Sequence, residues 1–190
     1  MEELNVFDFD KTIYDGDSSI DFYIYALKNN IWLIRYLPVQ IYGMFTYKLK
    51  IKPKEYFKEK YFSFLKGIKD VDLKVEDFWN KNDKKIKYNI FENKKNMVVI
   101  SASPEFLLEP ICKQIGVQKL IATKVESKTG KFLGKNCYGE EKVNRLNQEY
   151  KSYIINEFYS DSKSDSFLAD ISKKSFLVNK DKIQYWKTSK

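Results

Sequence analysis

The segment Asn5-Val6-Phe7-Asp8-Phe9-Asp10-Lys11-Thr12-Ile13 reads as an apolar strand that ends on two aspartates, and it constrains the fold more than any other stretch of the chain. Residues two apart on a strand project the same way, so Asp8 and Asp10 converge on one ligand. In open α/β sheets ligands sit just beyond the carboxyl ends of the strands, where this pair lies. Close carboxylates repel unless something neutralises them. A hard divalent cation such as Mg²⁺, which prefers oxygen ligands and accepts phosphate as a co-ligand, is the natural counter-charge. The pair therefore points to phosphoryl transfer.

After this strand comes a polar turn, Tyr14 to Ser19, whose last residues are suitable helix N-caps, and a helical pattern that persists to about residue 92. Ile20, Tyr23, Ile24 and Leu27 share one face of a first helix. Ile31 to Leu49 makes a second, very aromatic segment interrupted at Pro38, and Pro53 opens a third that carries Tyr56, Phe57, Tyr61 and Phe64. Val71, Val75, Phe78, Trp79, Ile86 and Ile90 recur at three and four residues, which predicts one long amphipathic helix.

From Asn96 the rhythm changes to strand, turn, helix. Met97 to Ile100 is a short apolar run of the kind found in buried parallel strands, and it ends at Ser101. Ser103-Pro104-Glu105 reads as N-cap, first-turn proline and first-turn acid of a helix running to about Ile115. Leu120 to Ala122 is a further strand, and Lys124 to Leu133 a hairpin turning at Thr129-Gly130. Gly139 to Tyr150 is helical and Tyr153 to Tyr159 strand-like, ending at Ser160-Asp161. Ser175 to Val178 is a last strand before an expected exposed C-terminal helix. The expected architecture is α/β: a Rossmann-like core with a mostly parallel sheet, formed by residues 1–16 and 93–190. A helical-bundle cap, residues 17–92, is inserted after the first strand, above the sheet's carboxyl edge where it can close over a ligand.

Composition removes several chemistries. With no histidine, a Ser-His-Asp triad, a Cys-His dyad and histidine-ligated zinc or iron are excluded. Cys112 and Cys137 have no paired spacing that would indicate zinc or redox work, and Met-Glu-Glu-Leu is not the start of a signal peptide, so a cytoplasmic location is expected. The net charge of +8 comes from lysines that look scattered along the sequence, with Arg35 and Arg145 the only arginines. Nucleic acid is therefore not an expected partner, whereas acidic substrates are favoured. The most apolar stretch, Ile31 to Phe45, is broken by Arg35, Pro38 and Gln40, and its charge-free part is too short to span a bilayer. No Gly-rich nucleotide loop marks ATP as a donor.

Four features now stand in order at strand ends or in loops: Asp8/Asp10, Ser101, Lys142 and Asp161/Asp165. Together they resemble the haloacid dehalogenase superfamily of phosphatases and phosphotransferases, over nearly the whole chain. Asp8 to Ile13 matches that superfamily's DxDxT motif, with Lys11 in a slot often held by glycine. The resemblance implies Asp8 as nucleophile, forming an aspartyl-phosphate, and Asp10 as general acid and base. It implies Mg²⁺ held by Asp8, the Asp10 backbone carbonyl and Asp161, with Asp165 as a ligand or supporting acid, Ser101 on a phosphoryl oxygen, and Lys142 as the stabilising cation. An insertion between the first and second motifs is similar to the helical-cap branch that includes phosphoserine phosphatase. Tyr159-Ser160-Asp161-Ser162-Lys163-Ser164-Asp165 departs from that branch's glycine-rich fourth motif and looks more like bacterial phosphatidylglycerophosphatases of the C type, as do Gly139 to Val143 and Arg35 to Pro38. The implied substrate is a phosphomonoester, either a lipid phosphate such as phosphatidylglycerophosphate or a small soluble ester.

Each feature alone has a plain structural reading. Asp10 and Thr12 can cap a turn, Ser101 can simply end a strand, Lys142 is one of 32 lysines, and Asp161 and Asp165 can cap a helix. Their order carries the argument. A receiver-type phosphoaspartate switch would account for Asp8, Lys142 and a parallel sheet, but not for Asp10 followed by Thr12 or for the helical lobe. The apolar stretch Trp32 to Tyr47, followed by Lys48, Lys50, Lys52 and Lys54, has two readings: the central helix that a four-helix cap needs, which the pattern favours, or a segment that dips into an anionic bilayer as a peripheral membrane contact.

Overall fold

The computed structural model describes residues 1–180 and 182–186. The apolar run at the N-terminus forms β1 (Glu2–Phe7), near the middle of a six-stranded sheet with β2 (Met97–Pro104), β3 (Lys119–Thr123), β4 (Tyr153–Ser160), β5 (Ser172–Asn179) and β6 (Lys182–Tyr185). The strand order is β3-β2-β1-β4-β5-β6, and every neighbouring pair is parallel except β5 and β6. From β1 the chain fills β2 and β3 on one side, then returns to β4 on the other. The strand order thus reverses at β1, and its carboxyl end faces the crevice that such a switch point creates.

Successive residues of the central strands are apolar on both sides because both faces of the sheet are covered. Leu4, Val6, Val98, Ile100, Ile155 and Phe158 pack with Leu146 of α6 (Glu140–Glu149) and Leu168 of α7 (Ser166–Asp170). Phe7, Val99 and Tyr159 form the other face, with Leu107, Leu108 and Ile111 of α5 (Glu105–Gln114). The expected α/β core with a mostly parallel sheet is the observed one.

Between β1 and β2 lie α1 (Ser18–Asn29), a 3₁₀ turn (Ile31–Tyr36), α2 (Leu37–Lys48), α3 (Lys54–Tyr61), a second 3₁₀ turn (Phe62–Gly67) and α4 (Val71–Asn82). Phe22, Phe64, Phe78 and Trp79 from this block join the same buried cluster as Phe7 and Leu107. Each such side chain contributes about 1.5–3 kcal/mol by leaving water. The Trp79 indole also donates to the Leu107 carbonyl at 2.6 Å, which fastens α4 to α5.

Several elements depart from the sequence reading. The helix expected to run through Ile90 ends at Asn82, and 3₁₀ turns carry Ile86 and Ile90 inward instead. The backbone leaves the helix to pair with the loop behind β1: Asp15 N–H donates to Lys85 O and Lys87 N–H to Ile13 O, both at 2.8 Å. On α1 the buried residues are Ser18, Phe22 and Ala26, whereas Ile20 and Ile24 are exposed. Ser103 is not a helix cap. Strand β2 continues to Pro104, and the Ser103 hydroxyl is taken by Asp10 instead. In place of the expected C-terminal helix, Lys182–Tyr185 pairs antiparallel with β5; residues 181 and 187–190 of that expectation lie outside the described residues.

Helix α2 is inverted relative to the core helix that its composition favours. Its buried residues are Gln40, Gly43 and Thr46, while Ile41, Tyr42, Phe45 and Tyr47 face outward. Gln40 accepts from the Tyr23 hydroxyl at 2.7 Å and donates to the Tyr61 carbonyl at 2.8 Å. Gly43 lies so close to α3 that a Cβ there would sit 2.6 Å from the Lys60 Cβ. A narrow polar and small stripe thus seats the helix on α3, leaving the apolar remainder in solvent.

Candidate active site

A cleft of about 450 Å³ opens where the carboxyl ends of β1, β2 and β4 meet the helical block. Asp8, Asp10, Ser101, Lys142, Asp161 and Asp165, singled out from four separate stretches of sequence, all line it. So do Lys54, Phe57 and Lys58 of α3, which no motif marks.

Asp8 follows directly on β1, and its N–H donates to the Tyr159 carbonyl of β4 at 2.8 Å. The next residues fold tightly, with Thr12 and Tyr14 N–H both donating to Phe9 O. Lys11 sits at φ +58°, a left-handed conformation that explains why glycine suits this slot. The turn brings Asp10 back against the start of α1. One of its carboxylate oxygens accepts the Ser18 N–H at 2.6 Å and the other the Ser103 hydroxyl. Ser103 N–H in turn donates to Ser101 Oγ at 3.1 Å, so a single backbone step ties Ser101 to Asp10.

Lys142 enters from the first turn of α6. Gly139, at φ +59°, turns the chain into that helix, and Arg145 one turn on donates to the carbonyls of Ala122 and Lys135 at 2.6 Å, which holds α6 against the end of β3. The Lys142 ammonium is almost fully buried, 2.7 Å from Asp8 Oδ1 and 2.8 Å from Asp165 Oδ2. Asp165 Oδ2 also accepts the Ser160 hydroxyl at 2.7 Å, while Asp165 Oδ1 is buried with no partner.

The electrostatics follow from this enclosure. Burial and the neighbouring Asp165 push the Asp8 carboxyl up, and Lys142 opposes them. Burial alone would lower the Lys142 ammonium, but Asp8 and Asp165 outweigh it and raise it, so Lys142 stays charged. Burial, then the charge of Asp17, lifts Asp10 to about 6, with the hydrogen bonds from Ser103 and Ser18 pulling the other way. Asp161 is also raised by burial, with Lys11 opposing. Lys58 is brought down to about 8 by burial and by Lys54. Its ammonium donates to Ala102 O at 2.8 Å and Asn136 Oδ1 at 2.9 Å, a contact from the helical block to the strand ends.

Sequence reasoning missed three contributors. Ser103 was legible only as a helix start, although its spacing of two from Ser101 puts it on the same side of an extended strand. Ser160 resembles any polar strand end. Lys58 carries no local signal, because its partners lie 44 and 78 residues away.

The family model of haloacid dehalogenase-like hydrolases matches residues 6–169, and the chain belongs to this family of enzymes. A histidinol-phosphatase of Neisseria meningitidis is 34% identical over 96 residues, a match that spans 44% of this chain and 43% of that protein's length. Among solved structures, a protein of unknown function from Bordetella pertussis shares the fold with a TM-score of 0.73 at 22% identity, covering 92% of this chain and 89% of the other. A phosphoserine phosphohydrolase-like protein from Francisella tularensis aligns with a TM-score of 0.56 at 15% identity, covering 92% and 86%.

Proposed function

We propose that this hydrolase is a Mg²⁺-dependent phosphomonoesterase acting through an aspartyl-phosphate on Asp8. The observation that carries the reading is the convergence of Asp8, Asp10 and the buried Lys142 on one cleft at the sheet's switch point. A carboxylate oxygen of Asp8 attacks phosphorus as the ester P–O bond breaks, and Asp10 delivers its proton to the leaving alkoxide. Asp10 then takes a proton from water. That water attacks the acyl phosphate, which restores the Asp8 carboxylate and releases inorganic phosphate. A carboxyl lifted to about 6 suits both halves of this cycle near neutral pH. Lys142 opposes the protonation of Asp8 that burial favours and offsets charge on the transferring group. Ser101, beside the amide of Ser103, is placed to donate to a phosphoryl oxygen.

The donors fit a hard cation. They are oxygens only, and one buried oxygen of Asp165 is orphaned. Asp8, the Asp10 carbonyl, Asp161 and Asp165 would hold it. Mg²⁺ bound there would offset the negative charge between the Asp8 carboxylate and an anionic phosphate.

Within phosphomonoesters, a lipid phosphate such as phosphatidylglycerophosphate is the reading that the apolar outer face of α2 favours, over a small soluble ester. Phosphate release from phosphatidylglycerophosphate in mixed micelles and from soluble phosphomonoesters, with and without Mg²⁺, tests both levels. Asp8→Asn is expected to lose activity by roughly 10⁴-fold or more on every substrate. Activity that survives Asp8→Asn would sink the mechanism, and turnover of soluble esters alone would sink the lipid reading.

A further inference from the structure

We infer that the outer face of residues 31–51, built on the 3₁₀ turn and α2, is a docking surface for an anionic lipid bilayer. The inference rests on the phosphomonoesterase reading only for what docking would deliver to the cleft; the surface itself stands on three observations.

The first is the inversion of α2. Ile31, Trp32, Ile34, Leu37, Val39, Ile41, Tyr42, Met44, Phe45, Tyr47, Leu49 and Ile51 are all exposed, with Trp32 at 76% and Phe45 at 60%. Soluble monomers rarely present so continuous an apolar face without a partner. At 12 residues α2 is about 18 Å long, too short to cross a membrane. Among the described residues no helix is long and apolar enough to cross one. A helix lying in the interfacial plane buries such a face to a depth of about 5–10 Å.

Charge distribution is the second. Residues 22–69 hold nine lysines and Arg35 against only Glu55 and Glu59, a net of +8 that equals the net charge of the whole chain. The other 142 residues are balanced. The lysines look scattered along the linear sequence, yet the excess is confined to the block that carries the apolar face. Arg35, Lys48, Lys50 and Lys52 are exposed within that stretch. An apolar face with cations and almost no acids complements a bilayer whose headgroups are anionic. A second copy of this chain would bring the same excess of positive charge into contact with itself.

Continuity with the cleft is the third. Tyr47 of α2 stacks on Phe57 of α3 at 5.7 Å between ring centroids, and Phe57 lines the cleft beside Lys54 and Lys58. An apolar path thus runs from the outer face to the cleft, and its inner end is cationic. A phospholipid monoester whose acyl chains remain in the bilayer would follow that path with its phosphate leading.

The test is cosedimentation of the full chain with phosphatidylcholine vesicles and with vesicles containing phosphatidylglycerol, together with Trp32 fluorescence and quenching by brominated acyl chains. Binding to the anionic vesicles, a blue shift that disappears in Trp32→Phe, and weakening as salt rises from about 0.1 M to about 0.5 M are expected. Trp32→Ser/Ile41→Ser/Phe45→Ser should cut partitioning by roughly a hundredfold. These three side chains are exposed, so circular dichroism and turnover of a soluble phosphomonoester should stay unchanged. Asp8→Asn should bind vesicles normally, which separates failure of the surface from failure of the catalytic reading. Three outcomes would each overturn the proposal: no vesicle binding at low salt, equal binding to neutral vesicles, or equal partitioning of the triple variant. A concentration-dependent dimer in sedimentation velocity, dispersed by the triple variant, would reassign the face to self-association.

Discussion

Lys142 is the residue on which the buried charges of this cleft depend. It meets both Asp165 and Asp8, and it opposes the upward push that burial gives the Asp8 carboxyl. Lys142→Met keeps most of the side chain's apolar stem and removes its charge, leaving Asp8 and Asp165 uncompensated at a cost of about 3–5 kcal/mol. Protonation of Asp8, whose carboxyl is already pushed up to about 7, relieves part of that cost, so the deficit in urea denaturation should be largest near about pH 8 and shrink toward about pH 5. A deficit independent of pH would mean that lost packing, not charge, is responsible. Lys58 gives a second pH signature. Its folded value of about 8 lies below the ordinary 10.5, so the charged form is disfavoured in the folded state, and stability should rise as pH climbs from about 8 toward 10.5. The same loss of charge removes a cation that faces an incoming phosphate. KM for a soluble phosphomonoester is therefore expected to rise above about pH 8, and Lys58→Met should abolish that limb while raising KM at lower pH.

Gly43 shows at the level of elements how α2 is held with its apolar side out. Alanine is the better helix former by about 1 kcal/mol, so propensity alone predicts stabilisation by Gly43→Ala. Contact predicts the reverse, because the new Cβ would fall 2.6 Å from the Lys60 Cβ and 2.9 Å from its Cγ, and the Cβ cannot swing aside without moving the backbone of α3. Overpacking of this kind costs about 1–3 kcal/mol, enough to outweigh the gain and lower Tm by a few degrees. An increase in Tm on differential scanning calorimetry would show that α2 does not sit tightly on α3. This helix also marks where the sequence stops being informative. Strand β1 and its aspartates were legible because period, length and the polar tip are local properties. The second strand–turn–helix was legible for the same reason, except that Ser103 answers to Asp10, 93 residues away, rather than to its own helix. For α2, composition shows an apolar helix but not which side meets protein, since that depends on Gln40, Gly43 and Thr46 finding α3. The end of α4 depends likewise on the loop behind β1, whose carbonyl and amide groups draw the backbone of residues 85–87 out of the helix. Elements were read from their own residues, and their faces were set by residues elsewhere.

Across the whole molecule, two demands meet at the join between helical block and sheet. Catalysis of the kind proposed benefits from a lobe that opens, yet the buried cluster runs without interruption from Phe7 and Phe9 through Phe22, Phe78 and Trp79 to Leu107 and Ile111. Phe9, Tyr14 and Trp79 also form edge-on ring contacts at 5.3 and 5.8 Å across the join, behind the catalytic turn. This side is a shared core rather than a sliding surface. The contacts on the cleft side are polar: Lys58 to Ala102 and Asn136, the Phe132 N–H to Glu59, the Ser19 hydroxyl with that of Ser103, and Gly130 against the Phe62 carbonyl. Opening should therefore pivot about the Trp79 side and release the Lys58 side, a local event well below the cost of unfolding. Global unfolding is in turn expected to be a single transition, because removing the block would strip one face of the sheet and remove the block's own core. In Trp32→Phe, where Trp79 and Trp186 remain as reporters, urea curves from tryptophan fluorescence and from far-ultraviolet circular dichroism should superimpose. Two separated midpoints would show that the block keeps a core independent of the sheet. The ring contacts behind the catalytic turn would then be an interface between units, and Asp10 would owe its position to docking rather than to folding.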